Sequence, residues 1–224
     1  MQDAWIPLAL SLKVAGWATA LDLLFGVCAA LALARWRSGA RDVVDALLTL
    51  PLVMPPTVLG YYLLVLLGRR GPIGAWLETF GVRLVFTWEG AVIASMIAAF
   101  PLVLKSARAA FEATDPQLEH AARTLGLSET AIFFRVTLPL AARGIMAGAL
   151  LSFARALGEF GATLMLAGNL PGRTQTLSVA VYSAVQAGDD HTANVLVLVT
   201  SVVCVTVLLV AGRLVPQHTL STSR

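Results

Sequence analysis

Five apolar stretches, over residues 8–34, 43–67, 85–104, 144–167 and 193–213, are each long enough to cross a bilayer as a helix. A helix rises about 1.5 Å per residue, so about 20 residues bridge a hydrocarbon layer ~30 Å thick. The chain is 58% hydrophobic and 13% charged, against about 45–50% and about 25% in soluble domains. Folded in water, it would leave far too much apolar surface exposed. The expected fold class is therefore all-α integral membrane, with five transmembrane helices in one domain over residues 1–224 and no internal repeat.

A net charge of +3 raises nucleic acid as a partner, but the basic residues sit between apolar runs, as topology signals do, and form no stripe on a soluble face. Membrane lipid is the expected surrounding, and nucleic acid is not a partner. Cys28 and Cys204 both fall inside apolar runs and read as small packing residues; no metal site is expected. The amino terminus has no basic segment or small-residue cleavage site before its apolar run, so the first span is expected to be retained.

Lys13 lies near one end of the first span, where it can reach the interface. Asp22 lies deeper, and points either to a structural partner inside the bundle or to a transport role. The second span contains Pro51, Pro55 and Pro56, which remove backbone hydrogen bonds and kink a helix. Such a kink serves packing or lines a path. Residues 176–187 are apolar over a length too short to span, which suits a re-entrant or interfacial helix.

With five spans, residues 35–42, the 105–143 segment and the carboxyl tail share one side and hold ten Lys and Arg, against Arg69, Arg70, Arg83 and Arg173 on the other. The basic-rich side is cytoplasmic by the positive-inside rule. The expected location is thus the cell inner membrane, multi-pass, with a periplasmic amino terminus and a cytoplasmic carboxyl terminus.

Between the third and fourth spans, residues 115–139 interrupt the apolar character. Asp115 before Pro116 is a helix start, with an N-cap residue followed by proline at the first helical position. Gly126 suits the left-handed position that ends this helix, and Ser128 can cap a second one reaching about Arg135. Pro139 is expected to break the chain before the fourth span. Phe133 and Phe134 are markedly apolar for an aqueous loop and call for a hydrophobic pocket, on this chain or on a partner. In the fourth span, Arg155 and Glu159 stand four residues apart, on one face of a helix, and can pair. The pair either locks the bundle or lies near a translocation path, with Gly158 and Gly161 permitting close helix approach.

The run His120-Ala121-Ala122-Arg123-Thr124-Leu125-Gly126, followed by Val136-Thr137-Leu138-Pro139, resembles the EAA loop of ABC importer permeases. That pattern reads Glu-Ala-Ala, three residues, Gly, nine residues, Ile-x-Leu-Pro. Val136 is a mild variant, and His120 stands where the glutamate is usual, with Glu119 one place earlier. Together with LPLVMPPTVLGYYLLVLLGRRGPIG and ARALGEFGATLMLAGNLPGRTQTL, the chain is similar to the molybdate permeases of that family.

The resemblance implies a type I importer permease whose cytoplasmic loop docks on an ATP-binding subunit. The coupling residues it implies are Glu119, His120, Ala121, Ala122, Gly126, Phe133, Leu138 and Pro139. It also implies a homodimer of permease chains, two ATP-binding cassette subunits, and a periplasmic oxyanion-binding protein. No cofactor is expected on this chain, since no Gly-x4-Gly-Lys-Ser/Thr phosphate cradle occurs; ATP and Mg belong to the partner subunit. The chain is accordingly expected to be non-catalytic. The alternatives are a permease for tungstate, sulfate or thiosulfate and, from another class, an ion-coupled secondary transporter. The latter would need inverted repeats and ionisable groups at the midplane.

Overall fold

A computed structural model describes residues 2–36 and 38–214, with side chains over 4–36 and 38–210. Arg37 and the tail over 217–224, both used in the charge argument, lie outside the described residues, as does the Arg213 side chain. Every described element is helical.

The first helix, α1 (Gln2–Arg35), is followed by α2 (Ala40–Val53), α3 (Pro56–Leu67) and the short α4 (Pro72–Glu78). Next comes α5 (Trp88–Glu112), which ends beside the polar loop. Its start is set by Thr87, whose hydroxyl accepts from the Gly90 N–H at 3.1 Å. The loop holds α6 (Pro116–Thr124) and α7 (Glu129–Ile132); then come α8 (Leu138–Leu157), α9 (Gly161–Ala167), α10 (Leu177–Gln186) and α11 (Asp190–Leu214).

The centre of the bundle is α5, packed between α1 and α8. Its buried face is built largely of small residues, among them Gly90, Ala91, Ala94, Ser95, Ala98, Ala99 and Ala107. These let backbones approach closely where lipid offers no hydrophobic drive between helices. Asp22 is fully buried on α1 and accepts a hydrogen bond from the Ser152 hydroxyl of α8 at 2.7 Å. Lys13 stands 3.5 Å above the Trp88 ring, a cation–π contact between α1 and the start of α5.

Four helical segments are long and apolar enough to cross a membrane. The helices α2 and α3, whose axes are bent by 113°, are together long and apolar enough to make a fifth if taken as one broken span. Near its start α2 is tied to the loop end of the bundle, where Asp45 pairs with Lys105 at 2.5 Å and Arg108 at 2.8 Å. The other end of α3 leads to α4 and Val85 at the opposite end. The chain therefore crosses, but as two helices with Met54 extended between them (ψ 139°), in place of one kinked span over 43–67. Pro55 and Pro56 explain this: proline disfavours the helical region for the residue before it and lacks the N–H that would bond to the preceding turn.

Two further expectations are corrected. The span over 144–167 is two helices, interrupted at Gly158–Phe160. Pro139 does not break the chain, because Glu129–Leu157 is one continuous helical run of 29 residues. A π turn over Phe133–Thr137 widens the helix immediately before the proline, with the Leu138 N–H bonding to the Phe133 carbonyl. The wider register absorbs the ring and the missing donor.

Candidate functional site

Local chemistry builds the polar loop. The Asp115 carboxylate accepts from the Gln117 N–H at 2.9 Å, capping α6 behind Pro116. The helix closes at Gly126, whose φ of +82° is the left-handed value that favours glycine. There the Leu127 N–H reaches the Ala122 carbonyl at 3.2 Å and the Gly126 N–H the Arg123 carbonyl at 2.9 Å, a paired closure of the last turn. Ser128 caps α7 by accepting from the Ala131 N–H at 3.3 Å.

Glu119 faces inward. It accepts a hydrogen bond from the Thr137 hydroxyl at 2.6 Å and lies 3.8 Å from Arg35 and 3.5 Å from Arg123. Arg123 also bonds Glu129 through two nitrogens, at 2.5 and 3.0 Å. The acid thus ties α6 to α1 and to the π turn. Beside it, between the last turn of α1 and α6, lies a cavity of about 480 Å³ bordered by Arg35, Arg41, Glu112 and Glu119.

His120 and Ala121 are exposed, whereas Ala122 is buried. The two phenylalanines divide. Phe133 packs inward, its ring 6.5 Å from that of Phe111, and Phe134 turns outward, 61% exposed. Leu138 packs with Ala141 and Ile145 against the α1–α5 core, while Pro139 lies on the surface. Leu118 is also exposed, and Leu125 reaches 81%. Sequence reasoning passed over both leucines. Leu125 sits in the capping position before Gly126, where the helical repeat no longer says which way a side chain points.

Arg155 and Glu159 are brought together at 2.5 Å, but not along one helix. Helix α8 ends at Leu157, and Glu159 lies in the gap before α9. One of its oxygens takes Arg155; the other accepts the Ala162 N–H at 2.9 Å, capping α9. Its side chain is 1% exposed and that of Arg155 32%.

The break in α8–α9 abuts the break in α2–α3. A Cβ on Gly161 would lie 2.9 Å from Pro56 Cβ, and one on Gly60 would lie 2.8 Å from the Ala162 Cα. Both are closer than side-chain carbons come, so only glycine lets α3 and α9 lie this near each other. The two interrupted crossings therefore meet at one place in the bundle, held by glycine contact on one side and the Glu159 cap on the other.

Residues 23–218 match the family described as binding-protein-dependent transport system inner membrane component. The chain belongs to this family. Among the relatives of this inner membrane component is the molybdenum transport system permease protein of Escherichia coli strain K12. It is 42% identical over 208 residues, covering 92% of this chain and 91% of the relative. The Haemophilus influenzae protein of the same description is 44% identical over 197 residues, covering 87% and 85%. A sulfate transport system permease protein from Synechocystis is 38% identical over 161 residues, covering 72% and 58%.

Solved structures share the fold of the inner membrane component. A bacterial alginate ABC transporter chain superposes with a TM-score of 0.76 at 18% identity, covering 95% of this chain and 78% of that one. An inward-facing methionine ABC transporter chain gives 0.71 at 16% identity, covering 96% and 93%. The architecture is that of a type I importer permease, and the chain is a multi-pass protein of the inner membrane.

Proposed function

We propose that this chain is the membrane-spanning permease subunit of an ATP-driven importer that carries molybdate across the inner membrane. The carrying observation is the loop between α5 and α8. It is a capped helix, a left-handed glycine and a second helix, presenting Leu118, Leu125 and Phe134 outward while its acid is consumed internally. Such a surface suits insertion into an apolar groove of a partner. Family membership supports an ATP-binding subunit as that partner, and the relatives' descriptions favour molybdenum oxyanion as cargo.

In this reading His120, Ala121, Gly126 and Pro139 shape the docking surface, and Phe133 and Leu138 pass its movement inward. Glu119 braces the loop from within, so the contact with the partner is chiefly apolar. The continuous run Glu129–Leu157 gives a stiff connection from loop to bundle. ATP binding draws the two nucleotide subunits together, this rod tilts, and the junction between the two interrupted crossings is displaced. Switches of this rigid-body kind are how domains propagate small movements.

Two permease chains pair around the path, two ATP-binding subunits sit below, and a periplasmic protein delivers the oxyanion. The loop faces the cytoplasm and the start of α1 faces the periplasm, in line with the Arg and Lys bias. The chain itself performs no hydrolysis. Among the described residues Arg155 is the guanidinium beside the junction of the breaks, where it pairs with Glu159, and is the residue we assign to brief contact with the passing anion.

The test is co-purification followed by uptake in reconstituted vesicles. An ATP-binding protein should come down with the chain, and labelled molybdate uptake should resist an excess of sulfate. Uptake abolished by sulfate would move the cargo to sulfate, while ATP-independent uptake driven by an ion gradient would overturn the importer reading.

A further inference from the structure

We infer that the end of the bundle opposite the coupling loop carries a site for an anionic phospholipid. Its phosphodiester lies between Arg69 and Arg70, and an acyl chain lies against Val65, Val85 and Phe86. This rests only on the chain spanning a bilayer and not on which solute it carries.

A groove of about 580 Å³ opens between the end of α3 and the segment before α5. Its lining combines the apolar Leu64, Val65, Val85 and Phe86 with the guanidinium-bearing Arg69 and Arg70. An amphiphile with an anionic head matches that division. The groove also continues the outer face of α3, where Tyr61, Tyr62, Val65 and Leu66 are exposed.

Charge points the same way. Glu78 pairs with Arg69 at 3.1 Å and with Arg83 at 3.2 Å, so one carboxylate serves two guanidiniums. Arg70 makes no ion pair among the described residues. Glu89, the other acid of this segment, lies in the first turn of α5, where the helix dipole favours it, and pairs with none of the three arginines. Guanidinium groups bind phosphate through parallel N–H donors, and basic clusters at membrane surfaces select anionic headgroups.

Depth is set by aromatic residues. Trp76 and Phe80 of the same segment are exposed and meet edge to face at 5.1 Å, as expected of side chains lying at headgroup level. The arginines beside them are therefore held where lipid phosphates are.

Phe86 supplies an independent observation. Among the described residues it alone, apart from glycines, has a left-handed backbone (φ +60°). Its N–H bonds to the Leu166 carbonyl at 3.1 Å, and its ring edge lies where a Cβ on Gly168 would come within 2.8 Å. The fold thus holds this ring at the groove in a conformation phenylalanine disfavours, yet leaves it 62% exposed. Burial within the chain does not repay that strain; an acyl chain along the ring would. A small free oxyanion has no use for the apolar length.

The assembled transporter, purified in mild detergent, is titrated with phosphatidylglycerol or phosphatidylcholine and bound lipids are counted by native mass spectrometry. One phosphatidylglycerol per permease chain should bind in preference to phosphatidylcholine. Arg70→Gln should weaken it about fivefold, the effect of one cation near a membrane surface. Phe86→Gly should weaken both lipids without lowering the melting temperature, because glycine accepts the left-handed backbone. Equal retention of the two lipids, or an unchanged Arg70→Gln protein, overturns the proposal. Displacement of the lipid by millimolar inorganic phosphate would make the site one for small oxyanions, and efficient Arg70→Cys cross-linking between two chains would make the groove an interface between copies. Either result also overturns it.

Discussion

Glu159 performs two tasks with its two oxygens, and a pair of substitutions can separate them. Glu159→Gln keeps an oxygen that can accept the Ala162 N–H but removes the charge facing Arg155. Glu159→Ala removes both. Loss of a helix N-cap costs about 0.5–2 kcal/mol. Removing one member of a buried ion pair costs about 3–5 kcal/mol when the remaining charge is trapped. Arg155 is one-third exposed, however, so water can reach the orphaned guanidinium and the charge contribution falls to roughly 1–1.5 kcal/mol.

Glu159→Gln should therefore cost about 1–1.5 kcal/mol and Glu159→Ala about 2–3 kcal/mol. At roughly 2–4 °C per kcal/mol for a chain of this size, the melting temperature should drop by about 2–6 °C and about 4–12 °C. Thermal unfolding of the purified permease, followed by size exclusion with fluorescence detection, reads both. Adding Arg155→Met to Glu159→Gln should recover part of the loss, because no unpaired charge then remains. Equal losses for Gln and Ala would refute the capping role, and additivity of Arg155→Met with Glu159→Gln would refute the pairing.

Gly126→Val places a β-branched residue at φ +82°, at a cost of about 1–2 kcal/mol in the loop alone. The chain should still insert in the membrane while ATP-driven uptake falls at least tenfold; normal uptake would count against the docking reading. Leu125→Asp and Phe134→Asp remove apolar surface that the single chain leaves exposed, so each should abolish co-purification with the ATP-binding subunit and leave the melting temperature within about 1 °C. At the start of α11, Asp189 accepts from Thr192, which holds its carboxyl below the ordinary range. A lowered folded pKa means the cap is present above the usual aspartate value of about 4 and is lost as pH falls through the lowered value. Amide exchange at Thr192, corrected for its intrinsic pH dependence, should stay constant down to pH ~4 and rise below it; a rise between pH 5 and 7 would contradict the assignment.

What could be read from the sequence was what local chemistry decides. Asp115, Gly126 and Ser128 announce their roles because a cap or a left-handed glycine needs only its neighbours. The apolar runs likewise follow from the solvent. The interruptions within spans were harder. Arg155 and Glu159 carry the spacing of a continuous helix, and the break between them depends on Glu159 finding the Ala162 N–H and on Gly161 meeting Pro56 from a distant segment. Pro139 reads as a terminator until the π turn before it is seen. The inward turn of Glu119 is decided by Thr137 and Arg35, eighteen residues after it and far earlier in the chain. The outward turn of Leu125 had no periodic signal at all.

The small-residue face of α5 bears on how such a bundle can change shape. Interlocked leucines form a corrugated surface, and sliding one helix over another then means lifting every knob out of its hole. Alanine, glycine and serine hold seven of the twelve buried positions along α5, with Val92, Pro101, Val103, Leu104 and Phe111 between them, and so leave a track with few knobs. On the facing side of α8, Gly144 and Gly148 sit so close that a Cβ would come within 2.5 Å of Ala110 Cβ and 2.8 Å of Ser106 Cβ. Two rods in close contact with few teeth can roll or shift against each other with less repacking than leucine-lined ones, while their spacing stays fixed. The price is paid in sequence freedom, since a single added methyl group on that track wedges the rods apart.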